Sequence, residues 1–244
     1  MQGKNPIRPP IRSDGSRLEV KHIFPTLQGE GPYAGHPAVF VRLGGCNLAC
    51  SFCDTDFEGY EPMPVTGIVE NVKRLACPLP TPLPCTGEGR GGAADEGEGS
   101  KRLRELVVIT GGEPLRQNIA PLCEALSADG FKVQIETNGT LWRPLPDGVD
   151  IVCSPKNTGG GYFPIREDLL PRVQALKFII SRHDPLYNHV GEVGQEKYHT
   201  PVYLQPMDEY DPKRNADNLE YATELAMRDG YRLSLQLHKL LGIE

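Results

Sequence analysis

At 244 residues, with 39% hydrophobic and 24% charged side chains and a formal net charge of -6, the chain has the composition of one large soluble domain. The acidic balance argues against a broad basic footprint for nucleic acid, and no apolar run approaches the roughly 20 residues needed to span a bilayer. The start, MQGKNPIRPPIRSDG, has basic residues but neither an apolar core nor a small-residue cleavage site, so the expected location is the cytoplasm.

Taken in chain order, residues 1–17 are rich in Pro, Arg and Ser without periodicity and are expected to form a flexible N-terminal arm. From Leu18 onward short β-favouring runs follow one another: VKHIF (20–24), AVFVRL (38–43), LVVIT (106–110), KVQIE (132–136), DIVCS (150–154), ALKFII (175–180), PVYLQP (201–206) and YRLSLQL (231–237). Helical patterns alternate with several of them, at 66–76, at 117–130 closing on Gly130, and at 215–230 closing on Gly230. Near-continuous apolar strands between helices predict an α/β fold of parallel strands with outer helices. Six or seven such strands fall short of a closed eight-stranded barrel, so the expectation is a partial, TIM-like barrel with ligands at the carboxyl ends of its strands. Residues 18–244 would form this single domain, interrupted at about 77–102 by a low-complexity insertion rich in Pro, Gly and acidic residues.

Seven cysteines, three of them within eight residues at Cys46, Cys50 and Cys53, do not read as a disulfide framework; a reducing compartment and metal chemistry fit better. Structural zinc wants four ligands in a closed tetrahedron, and no second pair is obvious. His36, Cys123 and Cys153 read as ordinary structural residues, and Cys77 and Cys85 as free thiols. An iron-sulfur cluster held by three thiolates instead of four would leave one iron open to a further ligand.

Polar groups gather where the apolar strands stop: TGGEP (110–114), ETNG (136–139), SPK (154–156) and QPMD (205–208). Paired glycines permit close backbone approach, and Glu113 is able to accept from an ammonium. Upstream, LQGEG (27–31) offers the amide of Gln28 and the carboxylate of Glu30, a donor and acceptor set suited to an amidine edge. Arg42 offers a guanidinium fork for a carboxylate or a surface ion pair. Asp54 has two readings, a backbone cap or an acceptor behind the site.

The C-x3-C-x2-C triplet with Phe52 before its last cysteine resembles the radical S-adenosylmethionine enzymes, and TGGEP resembles their GGEP motif. The stretch 24–57, FPTLQGEGPYAGHPAVFVRLGGCNLACSFCDTDF, is similar to the 7-carboxy-7-deazaguanine synthase family over a region running from about Val20 to the C-terminus. The resemblance implies a [4Fe-4S] cluster on Cys46, Cys50 and Cys53, S-adenosyl-L-methionine on its open iron, and Mg²⁺ at Thr55. It implies cofactor contacts from Phe52, Cys53, Asp54, Gly112, Glu113, Glu136 and Asn138, from Ser154, Pro155 and Lys156, and from Gln205, Pro206, Met207 and Asp208. Substrate contacts would come from Leu27, Gln28, Gly29, Glu30, Arg42, Thr110 and the terminal Glu244. The reaction so implied abstracts hydrogen from C6 of 6-carboxy-5,6,7,8-tetrahydropterin and contracts its ring. It yields 7-carboxy-7-deazaguanine and ammonia for queuosine biosynthesis, and regenerates S-adenosylmethionine.

The tail LSLQLHKLLGIE resembles the family's closing Gln-x-His-Lys segment, although it ends in glutamate; Gln236 and His238 are expected to pack and hydrogen-bond under the site. A homodimer and a flavodoxin or ferredoxin as reductant are further implications of the resemblance. Two other readings stand beside it: a glycyl-radical-activating enzyme, which shares the triplet, and a zinc-stabilised binding module without catalysis.

Overall fold

The computed structural model describes residues 5–77, 103–157 and 159–243. Its framework is one open nine-stranded sheet in the order β3-β1-β2-β4-β5-β6-β7-β8-β9. The strands are β1 (Arg17–Leu27), β2 (Pro37–Leu43), β3 (Glu61–Pro64), β4 (Leu106–Gly111), β5 (Lys132–Thr137), β6 (Asp150–Cys153), β7 (Val173–Ile180), β8 (Val202–Pro206) and β9 (Arg232–Leu233). From β2 to β9 every neighbouring pair is parallel, as the βα rhythm predicts; β1 runs antiparallel to both β2 and β3. The partial-barrel expectation is met, because the sheet does not close on itself.

Alternation along the strands separates two faces. Val39, Val41, Val107, Ile109, Val133, Ile135, Ile151, Leu176, Phe178 and Leu204 point to one side and join a single large apolar cluster with the helices. There α1 (Val65–Ala76) contributes Ile68, Val69, Val72 and Ala76, α2 (Ala120–Ala128) contributes Leu122, Cys123 and Leu126, and the long α4 contributes Ala222, Leu225 and Ala226. The α4 helix (Pro212–Asp229) starts where Asp211 accepts from the backbone N–H of Lys213 and Arg214, at 2.9 and 3.0 Å, and stops at Gly230 with φ 76°. Two short helices, α3 (Gln195–Tyr198) and α5 (Leu237–Leu241), complete the set.

On the other face the strands are not continuously apolar. Small plugs of Ala38, Leu106 and Val108, and of Val152, Ala175 and Tyr203, fill it toward the strand starts. Toward the carboxyl ends the same face carries Arg42, Glu136, Lys177 and Gln205, all lining one cavity.

Three expectations are corrected. The 231–237 run is a two-residue strand followed by a turn into α5, because Leu237 N–H leaves the sheet to donate to Gly29 O at 3.2 Å and Gln236 Nε2 donates to Glu30 Oε1 at 3.0 Å. The first strand belongs to an antiparallel ribbon outside the βα repeat. The described part of the N-terminal arm, residues 5–16, is not loose: Arg8 N donates to Cys46 O at 2.7 Å, Ile11 N to Arg116 O at 2.7 Å, and Asn118 Nδ2 to Asp14 O at 3.0 Å. The 77–102 insertion, apart from Cys77, lies outside the described residues, as do Cys85 and Glu244. Among the described residues no helix is long and apolar enough to cross a membrane.

Because the cluster behind the sheet is densely filled, Leu122→Ala, at a fully buried position, should cost about 2–5 kcal/mol in urea denaturation. Leu240→Ala, at a position 71% exposed, should change stability by no more than about 0.5 kcal/mol in the same measurement.

Candidate functional site

A cavity of about 360 Å³ opens at the carboxyl ends of the parallel strands. The segment after β2 forms one wall and brings Cys46, Cys50, Phe52, Cys53, Asp54 and Thr55 to it. Cys46 and Cys50 are buried and Cys53 half-buried, and none forms a disulfide. Among the described residues no three His, Cys, Asp or Glu side chains converge as a single-ion site. A cuboidal cluster binds each thiolate through a different iron and does not require such convergence.

This wall is placed by backbone packing. Gly112 N donates to Leu43 O at 3.2 Å and Glu113 N to Gly45 O at 3.0 Å, stitching the turn after β4 to the start of the cysteine loop. A Cβ on Gly112 would stand 1.9 Å from Gly45 O, and one on Gly111, where φ is 129°, 2.1 Å from Leu43 O. The glycine pair therefore serves close approach of two protein backbones. Glu113, expected to meet a ligand, is fully buried and absent from the cavity lining. Its carboxylate accepts from Leu115 N at 3.0 Å, Thr137 Oγ1 at 2.7 Å and Asn138 N at 2.7 Å, while burial raises its pKa. Asn138 passes the link on: its Nδ2 donates to Asn47 Oδ1 at 3.0 Å and lies 4.0 Å from Cys46 Sγ.

The floor carries charge. Lys177 on β7 is 6% exposed and lies between Glu30 and Glu136, with salt bridges to Glu30 Oε2 and, at 3.2 Å, to Glu136 Oε2. Burial by itself would lower the Lys177 pKa, but the two carboxylates outweigh it and the pKa is raised. Burial would likewise raise Glu30, and the adjoining ammonium holds it below its ordinary value. Gln28 Nε2 donates to Glu136 Oε1 at 3.0 Å, and Gln236 Nε2 to Glu30 Oε1. Arg42 extends from β2 into the same space with its guanidinium carbon 5.0 Å above the Phe24 ring. Among the described residues no carboxylate forms a salt bridge with Arg42.

At the rim Lys239 Nζ bridges Asp54 Oδ2 and Asp208 Oδ2, both at 2.8 Å, joining α5 to the cysteine loop and to the segment after β8. Burial tends to raise Asp54, yet Lys239 keeps it below the ordinary carboxylate value. Asp54 thus is no backbone cap; Asp56 accepts the backbone N–H of Glu58 at 3.0 Å instead. On the far wall, burial depresses Lys156, whose Nζ donates to Ser154 O at 2.9 Å and also reaches Ser154 Oγ. Gln205 Oε1, also buried, has no hydrogen-bond partner among the described residues.

Of the residues singled out from sequence, the cavity gathers Gln28, Glu30, Arg42, Thr110, Gly112, Glu136, Asn138, Ser154, Lys156, Gln205, Met207 and Asp208 with the cysteine loop. Leu27, Gly29, Glu113, Pro155 and Pro206 stand outside its lining. Gly29 gives room to a neighbour: a Cβ there would meet His238 Nδ1 at 2.4 Å. Gln236 and His238 line the cavity, and so do three residues that sequence reasoning missed, Asn5, Lys177 and Lys239. The signal for Lys177 was present, since a cation inside ALKFII shares a strand face with Ile179 and not with Leu176 or Phe178. Asn5 had no such signal.

Sheet, triplet and charged cavity together define a partial-barrel enzyme of the radical S-adenosylmethionine class. No family model matches the chain. A 7-carboxy-7-deazaguanine synthase from Rickettsia prowazekii is 50% identical over 244 residues, covering 100% of this chain and 96% of the relative. One from Rhodospirillum rubrum is 42% identical over 262 residues, covering both chains in full (100% each). The crystal structure of QueE from Escherichia coli matches 90% of this chain and 94% of its own with a TM-score of 0.62 at 24% identity, a likeness of fold. The chain belongs to the 7-carboxy-7-deazaguanine synthase family.

Lys177→Met would leave Glu30 and Glu136 buried without their shared cation and should destabilise the protein by roughly 3–5 kcal/mol. The sign of the pH dependence is a second test. In the native protein the depressed Glu30 contributes stability above the ordinary Glu pKa and loses it as pH falls through the folded value. The raised Lys177 contributes below the ordinary Lys pKa and loses it as pH rises through the folded value. In the variant Glu30, buried without its ammonium, would have a raised pKa, so stability should rise as pH is lowered from about 7 to 5, read by thermal unfolding across that range.

Proposed function

We propose that the chain converts 6-carboxy-5,6,7,8-tetrahydropterin to 7-carboxy-7-deazaguanine with release of ammonia, a carbon-nitrogen lyase step in 7-deazapurine and queuosine biosynthesis. The observation that carries this reading is the cavity itself, where three free thiols on one loop face Gln28, Glu30, Arg42, Glu136 and Lys177. Membership of the family supports it. Product and ammonia together hold the same atoms as the substrate, so the step is redox-neutral overall and needs no external oxidant.

The residues fit the groups that this chemistry requires. Burial pushes the Cys46 thiol up to about 12 and raises Cys50 and Cys53, so cluster uptake displaces protons from all three, favoured by the nearby Lys156 cation. Held by these thiolates, a [4Fe-4S] cluster would supply the electron that cleaves S-adenosylmethionine to the hydrogen-abstracting radical. The unpaired Gln205 Oε1 and the polar groups of Asn138, Ser154, Lys156 and Asp208 form a cradle for the amino, carboxylate and ribose groups of that nucleotide. Thr55 Oγ1, 3.2 Å from Asp54 Oδ1, offers the hard oxygen that Mg²⁺ prefers while keeping most of its waters.

Across the cavity, Arg42 pairs with the substrate carboxylate. Gln28, Glu30 and Glu136 face the amino and amide edge of the pterin. Lys177 holds Glu30 as an ionised acceptor and retains one N–H beyond its two salt bridges for a ring oxygen. A one-electron donor of the flavodoxin or ferredoxin type, a reducing cytoplasm and a homodimeric assembly complete the proposal.

Incubating the anaerobically reconstituted, reduced protein with S-adenosylmethionine, Mg²⁺ and the carboxytetrahydropterin should yield one ammonia for each deazaguanine. Cleavage of the nucleotide without any deazaguanine would sink the assignment. Arg42→Met should lower kcat/KM by roughly 10- to 100-fold, mainly through KM, since hydrogen bonds to charged groups contribute about 1.5–3 kcal/mol.

A further inference from the structure

The N-terminal arm crosses the outside of the cysteine loop and is anchored at both ends of its crossing. Ile7 forms a parallel bridge with Cys46, and Arg8 N donates to Cys46 O at 2.7 Å. The Arg8 guanidinium grips Glu58, beyond the triplet, with Nη2 2.6 Å from Oε2 and Nε 3.3 Å from Oε1. Further along, Pro9 O accepts from the buried Arg116 Nη1 at 3.1 Å. At the cavity wall Asn5 Nδ2 lies 2.8 Å from Thr55 O and 3.8 Å from Cys53 Sγ.

An amide nitrogen has two hydrogens, and here both have an acceptor on the cysteine loop. As a thiol, Cys53 also lies 3.6 Å from Thr55 O and is able to donate to it. As a thiolate it has no proton to give and needs a donor, and Asn5 is the side chain in place to supply one. Hydrogen bonds to the sulfur ligands of an iron-sulfur cluster stabilise its reduced, more negative state and so raise its potential.

We infer that Asn5 is a positioning residue for the cluster loop, fixing the Cys53 thiolate and the Thr55 backbone together, and that the arm carrying it is a strap that holds this loop against β2. This rests on the reading of the triplet as a cluster site. The strap makes the arm part of the radical source: it supports reduction of the cluster and slows the escape of iron.

Potentiometric titration of the reconstituted protein, followed by the paramagnetic signal of the reduced cluster without substrate, tests it. At the midpoint of the unaltered protein, Asn5→Ala should lower the ratio of reduced to oxidised cluster about threefold, equivalent to about 28 mV at 59 mV per decade for one electron. Arg8→Ala, which loosens the strap from outside the loop, should speed the loss of iron to a chelator about threefold or more. An unchanged midpoint in Asn5→Ala with its cluster intact would overturn the inference, and so would a rate of iron loss in Arg8→Ala equal to that of the unaltered protein. Uptake of no cluster by the unaltered protein is a different outcome, which removes the radical reading itself.

Discussion

Everything at the site depends on one close contact between backbones. Where Gly112 passes Gly45, the absence of a side chain lets the turn after β4 press on the first residues of the cysteine loop, and two hydrogen bonds fix the register. From there, position is transmitted by bonded groups: Glu113 binds Thr137 and Asn138, and Asn138 binds Asn47 inside the loop. The thiols are thus set by β2, β4 and β5 together, although all three lie on one short segment. The Glu113 carboxylate is expensive to bury, and its three donors offset that cost only while the two strand ends remain in place.

A second constraint is electrostatic. An open barrel covered by helices on one face must still place its other face, and here the cavity side accepts charge where the strands end. Lys177 makes this tolerable, because its ammonium is shared by two carboxylates that would otherwise repel each other in a poorly hydrated space. The neighbouring amides of Gln28 and Gln236 satisfy the outer carboxylate oxygens. What results is a bed of acceptors fixed by ion pairs and amide donors, suited to a polar heterocycle that must be held while its bonds rearrange.

Much of this was legible in the chain. The parallel strands, the three long helices, the cysteine loop and the polar strand ends follow from local periodicity and from spacing, which need no knowledge of distant contacts. Legibility failed wherever a residue's role depends on a partner far along the chain. GGEP shows glycine's freedom in sequence without showing that the backbone approaching it is the end of β2 and the start of the cysteine loop, at Leu43 and Gly45, while Thr110 and Gly112 still line the cavity. Lys177 hid inside an apolar run whose two faces were not separated. The LSLQL alternation suggested a strand, but Gln236 and the backbone of Leu237 have stronger calls on them from Glu30 and Gly29.

Both termini of the described chain converge on the cysteine loop. Lys239 on α5 binds Asp54, immediately after the last thiol, and Asn5 and Arg8 of the N-terminal arm bind Thr55 and Glu58. A loop that carries three thiols without regular secondary structure has few backbone hydrogen bonds of its own to resist opening. Contacts from the two ends supply that resistance at large sequence separation, and they depend on the sheet holding β2 and β8 in place. Without them the loop would keep its ties to the sheet at Gly45 and Asn47, from Glu113 and Asn138; with them it is also held at Cys46 by the arm and beyond the triplet at Asp54, Thr55 and Glu58. The position of the cysteine loop is thereby coupled to completion of the fold around it.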